Sequence, residues 1–285
     1  MYLIPVQYHG FRYPATILPK IEEIAGHFDV KEISPVMPYS LHTEYSFSKR
    51  NMSSRILQQF NVLREAIYQG IPMLWYSKQW AEEFAEFILS LTWGKREPTI
   101  IEIHPPFSNY TSLKEFIDIY TIFEVKIKER YKNTLILIEN RCGSLYSKGK
   151  FIVSTSQQLM NLVNEIEKRK IELRITLDIP QLLTAHYINT DNINRITEIF
   201  QIIKEIKDYI YGIHLWGKKG KGQSHIGDLT SYFNGNLEAK MIFLKCIKDT
   251  FDDEHKRFFV PEVNSGEKDL ASIIHDLISI GCVFM

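Results

Sequence analysis

TLILIENRCG, residues 134–143, is a run of alternating Leu and Ile that stops abruptly on Glu139, Asn140 and Arg141. A short, almost wholly apolar run of this kind reads as a strand buried on both faces, the situation of a parallel sheet covered by helices. A carboxylate at the end of such a strand is costly to bury unless something pairs with it. Both readings, the parallel sheet and the partnered carboxylate, extend along the chain.

Working outward, similar runs recur: YLIPVQY (2–8), VKEISPV (30–36), IPMLWY (71–76), TIIEIH (99–104), LRITLD (173–178), YIYGIHL (209–215) and RFFVPE (257–262). Amphipathic stretches with apolar spacings of three and four lie between them, among them KQWAEEFAEFILSL and SQQLMNLVNEIEKR. Strands alternating with helices, with no Pro- or Ser-rich linker, predict an α/β fold: a single (β/α)8 barrel domain over residues 1–285. An open doubly wound sheet fits less well, because QYHGFRYP follows the first strand where a G-x-G-x-x-G turn would stand. The long segment PYSLHTEYSFSKRNMS reads as a loop.

With 285 residues, 45% apolar and 24% charged, the chain has the profile of a globular protein with a large core. Lys plus Arg and Asp plus Glu are equal at 34 each, so no charge excess points to nucleic acid or an acidic membrane. The cysteines, Cys142, Cys246 and Cys282, lack C-x-x-C spacing and do not make a disulfide framework or a thiolate zinc site. No apolar run approaches a membrane span, and the expectation is a cytoplasmic protein without a membrane partner. A homo-oligomer is left open.

Barrel enzymes carry their chemistry at the carboxyl ends of the strands. Here the fourth strand ends with His104, the fifth on Glu139, the sixth on Asp178, the seventh at His214 and the eighth on Glu262. Any one of these is unremarkable as a hydrogen-bonded core group or a helix cap. Together, in a closed barrel, the three carboxylates would repel one another unless a cation neutralised them. Imidazole and carboxylate donors suit Mn, Zn, Co, Fe or Mg as a divalent ion.

IHPP, IENRCG, TLDIPQ, IHLWGK with SHIGD, and PEVNSG, in that order on successive strands, resemble the xylose isomerase-like TIM barrel superfamily. That group includes sugar isomerases, ketose 3-epimerases, inosose dehydratases and an endonuclease IV branch. The resemblance to the epimerase-like branch implies a metal tetrad of Glu139, Asp178, His214 and Glu262. It also implies that Glu139 and Glu262 are catalytic, removing and returning a proton beside a metal-polarised carbonyl. In the endonuclease IV branch a metal-binding His stands on the fourth strand, where this chain has His104. That branch also has a ligand His at the end of the third strand, where LWYS puts Trp75 and Tyr76. Its sixth-strand D-x-x-H reads Asp178 to Gln181 here, with His186 further along, and its D-x-H element is not evident, His225 and Asp228 of SHIGD being nearby but arranged differently.

The loop WGKKGKGQSH (216–225) carries Lys218, Lys219 and Lys221 among glycines and reads as a phosphate holder or as a solvated loop. Trp216 stacks on a substrate ring or plugs the barrel end, and Arg141 orients substrate oxygens or pairs with a carboxylate. Substrate contacts are expected from Arg141, Trp216, Lys218, His225 and Tyr76, with Tyr8, His9 and Trp75 as pocket lining. The expected function is a divalent-metal-dependent isomerase or epimerase of a small carbohydrate-like substrate. The alternatives are an endonuclease IV-like phosphodiesterase with nucleic acid as partner, and a degenerate barrel that binds without turnover.

Overall fold

In a computed structural model, which describes residues 1–8, 10–46, 48–142, 150–189, 192–220 and 224–285, the first strand and the fourth to the eighth form where the apolar runs place them. The barrel strands are β1 (Tyr2–Gln7), β2 (Ile21–Gly26), β3 (Tyr39–Thr43), β4 (Ile100–Ile103), β5 (Leu135–Glu139), β6 (Arg174–Asp178), β7 (Ile210–Leu215) and β8 (Lys256–Pro261). They are hydrogen-bonded in sequence order, and β8 pairs in parallel with β1 again, Tyr2 opposite Lys256 and Pro5 opposite Phe259. The sheet is therefore a closed, eight-stranded parallel α/β barrel. The expected His9 and Lys221 lie outside the described residues.

The second and third strands correct the sequence reading. Residues 30–36 form no strand: Pro35 interrupts them, and Ile33 is their one buried side chain. The strand lies earlier, at IEEIAG, where Glu22 and Glu23 mask the apolar pattern. The stretch read as a loop supplies β3, YSLHT, whose pattern is hidden by Ser40, His42 and Thr43. Among the described residues Ile71–Pro72 pairs only with Ile67–Tyr68, in a small antiparallel hairpin. The LWY that follows is not a strand. Trp75 sits at positive φ (58°), fully buried, with its ring 5.2–5.7 Å from Trp80, Phe84, Phe116 and Phe123. Burying aromatics of this size stabilises by roughly 1.5–3 kcal/mol each, which outweighs the cost of the left-handed backbone. Tyr76, on its other side, is 53% exposed.

The chain divides into two compact units. One comprises Met1–Glu22, Thr155–Met160 and Ile175–Met285 and contains β1, β7 and β8 with nearly all of β6. In it the C-terminal strand Val283–Phe284 pairs with Tyr2 and Leu3 of β1. The other comprises Glu23–Ser154 and Asn161–Arg174 and contains most of β2 with β3, β4 and β5, plus the helices Lys78–Leu91 and Leu113–Arg130 that enclose the Trp75 aromatics. Among the described residues no helix is long and apolar enough to cross a membrane.

Candidate metal centre

In the Glu23–Ser154 unit, β3 and β4 pair with His42 opposite Glu102, and β4 and β5 pair with Ile103 opposite Ile138. Two-residue alternation puts Glu102 and His104 on one face of their strand. His42, Glu102, His104 and Glu139 converge, each offering a ligand atom within 4.8 Å of the others. His104 Nε2 is 2.8 Å from Glu139 Oε2, and His42 Nε2 is 3.6 Å from that oxygen and 3.6 Å from Glu102 Oε1. Glu139 is fully buried and His104 almost so.

The hydrogen bonds around His104 decide its tautomer. Its Nδ1 lies 3.2 Å from the Glu44 carbonyl oxygen, which can only accept, so Nδ1 carries the proton. A neutral ring then turns the Nε2 lone pair toward a carboxylate oxygen. Two acceptors facing each other call for a cation or a proton between them, and an imidazole anchored through Nδ1 to a carbonyl is the arrangement of a metal-binding histidine. The residues present thus fit a divalent ion, with imidazole and carboxylate donors of borderline-to-hard character.

Burial holds His104 below its ordinary pKa despite the Glu139 carboxylate beside it. His27, whose Nε2 is 3.3 Å from His42 Nδ1, is lowered to about 2 by burial and by the neighbouring His42, Arg50 and His104. Burial also opposes a charge on His42, but Glu139, Glu23 and Glu102 outweigh it and raise the ring to about 9. Burial would push Glu139 up, yet Arg141, His104 and His42 hold it well below the usual carboxylate range.

A supporting layer surrounds this cluster. Glu44, fully buried, accepts from the backbone N–H groups of Phe28 (2.8 Å) and Tyr45 (3.0 Å) and from Arg50 Nε (3.1 Å) and Nη2 (2.8 Å). The Tyr45 ring lies 5.0, 5.9 and 5.5 Å from those of His27, His42 and His104. The guanidinium groups of Arg50 and Arg141 lie 5.0 and 5.3 Å from it. Arg141 Nη1 is 3.4 Å from Glu139 Oε1, so the carboxylate it pairs with is Glu139 itself. Trp75 is part of this layer too, its indole N–H donating to the His104 carbonyl at 2.7 Å.

The other unit holds a second constellation. Asp178 pairs with His214 in the β6–β7 register, and the Glu262 N–H donates to the Leu215 carbonyl. Asp178 caps the helix Ile179–Ala185 through the Gln181 N–H (2.9 Å), and its Oδ2 accepts from Gln181 Nε2 and Trp216 Nε1, both at 3.0 Å. His214 Nδ1 is 3.4 Å from Glu262 Oε1, and His225 Nδ1 is 3.4 Å from Glu262 Oε2. Trp216 and His225 stack with ring centroids 4.4 Å apart. Lys218 bridges to Ser224, and Gly217 packs against the backbone of Gly227, where a Cβ would come within 2.1 Å of the carbonyl oxygen.

His104 and Glu139 are thus brought together in one unit, and Asp178, His214, Glu262, Trp216 and His225 in the other, where Lys218 is half-buried. Tyr76 follows the hairpin rather than a barrel strand, which removes the ground on which it was placed at a mouth. His186 accepts from the Ser156 N–H at the start of the helix Ser156–Arg169, and Asp228 caps Leu229–Tyr232; both are structural. The sequence reading missed His42, Glu102, His27, Glu44 and Tyr45. Stepping back two residues from His104 along β4 would have found Glu102.

No protein-family model matches the chain, and no curated protein matches it. Among solved structures it is similar to an AP endonuclease of family 2 from Brucella melitensis, at TM-score 0.45 and 7% identity over 89% of this chain and 86% of that one. It is similar to the probable 3-DHS dehydratase AsbF from Bacillus anthracis at TM-score 0.37 and 10% identity, over 84% and 88%. For Thermotoga maritima Cel5A, solved with mannotriose, the values are 0.43 and 14%, over 85% of each chain. Likenesses this distant carry no argument about activity, which has to rest on the residues.

Proposed function

We propose that the chain is a divalent-metal-dependent enzyme that hydrolyses a phosphodiester, its ion held by His42, His104 and Glu139. The supporting observation is the His104 geometry: Nδ1 anchored on the Glu44 carbonyl and Nε2 aimed at Glu139, with His42 at the same oxygen. A divalent ion held there would supply Lewis acidity toward a phosphoryl oxygen and acidify a water for attack at neutral pH.

Two features favour hydrolysis over proton shuttling. Histidine on the third strand is what the resemblance to the endonuclease IV branch asks for, and with β3 at Tyr39–Thr43 that residue is His42. Glu139, moreover, has Arg141 at one oxygen and two imidazoles at the other, which suits an anionic ligand and makes a poor general base. In the other unit, Lys218, Trp216 and His225 offer a positive charge and a stacked aromatic pair for a phosphate and a base or sugar ring.

A second reading is the metal-dependent isomerase or epimerase of a carbohydrate-like substrate, with Glu139, Asp178, His214 and Glu262 as ligands and Glu139 and Glu262 carrying the proton. It is supported by Glu262, which faces the imidazoles of His214 and His225, groups able to exchange a proton with it.

The test is metal analysis of protein purified without chelator, followed by assays on abasic-site duplex DNA and on ketoses. Bound metal that falls in His104→Gln, with salt-sensitive strand cleavage, is the expected result. Epimerisation without cleavage would move the assignment to the second reading. No bound metal and no stabilisation by Mn²⁺, Co²⁺ or Zn²⁺ would overturn both and leave a binding barrel without turnover.

A further inference from the structure

The two oxygens of Glu139 face different kinds of group. Oε2 is turned to the imidazoles, 2.8 Å from His104 Nε2 and 3.6 Å from His42 Nε2, whereas Oε1 is turned to the Arg141 guanidinium at 3.4 Å. The residue is anchored first through its backbone. The Arg141 N–H donates to the Val153 carbonyl at 3.0 Å, and its own carbonyl accepts from the Ser154 hydroxyl at 2.5 Å. Its charged end also lies over the Tyr45 ring, and the side chain is only 15% exposed. Arg50, over the same ring, is engaged with buried Glu44. Arg141 therefore sets a positive charge 3.4 Å from the carboxylate that the candidate ion would need.

We propose that Arg141 acts as a built-in competitor of the metal. It reserves one oxygen of Glu139, limits that carboxylate to serving a single ion through Oε2, and lowers the affinity of the His42–His104–Glu139 cluster for divalent cations. This rests on the metal-binding part of the reading above and not on the reaction. A fixed unit charge a few ångströms from a divalent ion repels it by at least about tenfold in binding, even at a water-like dielectric. The residue thus sets the metal concentration at which the site fills.

The proposal is tested by titrating Co²⁺ and Mn²⁺ into the wild-type protein and the variants Arg141→Gln, Arg141→Met and Arg141→Lys, with circular dichroism to confirm that each is folded. Dissociation constants come from a competing chromophoric chelator, and the d–d spectrum of Co²⁺ reports the donor set. Both neutral variants are expected to bind at least about tenfold more tightly, equivalent to about 1.4 kcal/mol, while Arg141→Lys stays within a factor of about three of wild type. Wild-type binding with unchanged or weaker affinity in folded Arg141→Gln and Arg141→Met would overturn the competitor role and leave the metal centre standing. Absence of binding in every protein would overturn both. Binding confined to the neutral variants would support the competitor role while removing the metal-dependent activity proposed for the natural chain.

Discussion

Replacing Glu44 by Ala should destabilise the protein through a residue that does no chemistry. Glu44 is fully buried and is the acceptor for two backbone N–H groups and two guanidinium N–H groups, at 2.8–3.1 Å. Counting those bonds at roughly 1.5–3 kcal/mol each, as for hydrogen bonds to a charged group, overstates the loss, because Arg50 keeps a neighbour in Asp29 at 3.5 Å. Breaking a buried ion pair from one side costs about 3–5 kcal/mol, and that figure governs here. At about 2–4 °C per kcal/mol for a chain of this size, the melting temperature should fall by roughly 10 °C. Glu44→Gln keeps the shape and part of the hydrogen bonding and should fall less. Urea unfolding checks the magnitude through the midpoint at constant slope. A second effect follows from the backbone: the Glu44 carbonyl holds His104 Nδ1, so a shift of residue 44 loosens the imidazole and should weaken metal binding by about 10- to 100-fold. A loss under about 1 kcal/mol with unchanged metal affinity would refute the view that Glu44 organises the cluster.

Gly217→Ala places a Cβ within 2.1–2.5 Å of backbone atoms of Gly227 and Asp228; it should cost about 1–3 kcal/mol and separate Trp216 from His225, seen as a change in near-UV circular dichroism. Burial alone would raise the Asp253 carboxyl, but Arg257 and Lys207 hold it at about 2. Its stabilisation is therefore complete above its ordinary value of 3.8 and is lost as the pH falls from about 4 toward 2; Asp253→Asn should flatten that limb of a pH-dependent unfolding series. His186→Ala removes the acceptor for the Ser156 N–H and should cost about 1 kcal/mol while leaving metal stoichiometry unchanged in a titration.

The plainest strand in the sequence is one whose inward and outward positions are both apolar, as in LILI of β5. β2 and β3 are masked because Glu22, Glu23, Ser40 and His42 break up the apolar run in their stretches. The same masking hid His42, the residue that most changes the functional reading. Conversely, LWY looked like a strand end because composition does not reveal that Trp75 adopts a left-handed backbone and turns into a layer of aromatic rings. Glu139, Asp178, His214 and Glu262 were legible from their places at or beside strand ends, but not which of their oxygens and nitrogens were already committed to Arg141, Gln181 and Trp216.

The division of the chain between its two units bears on how it folds during synthesis. The unit with β3, β4 and β5 is built almost entirely from residues 23–154 and lacks only Asn161–Arg174, so it can begin to assemble while the rest of the chain is still being made. The other unit joins β1 to β8 and to Val283–Phe284, at opposite ends of the sequence. Its pairing closes a very long loop, a slow step by topology alone. Until that pairing forms, β1 keeps an open edge, the kind of exposed strand that invites aggregation.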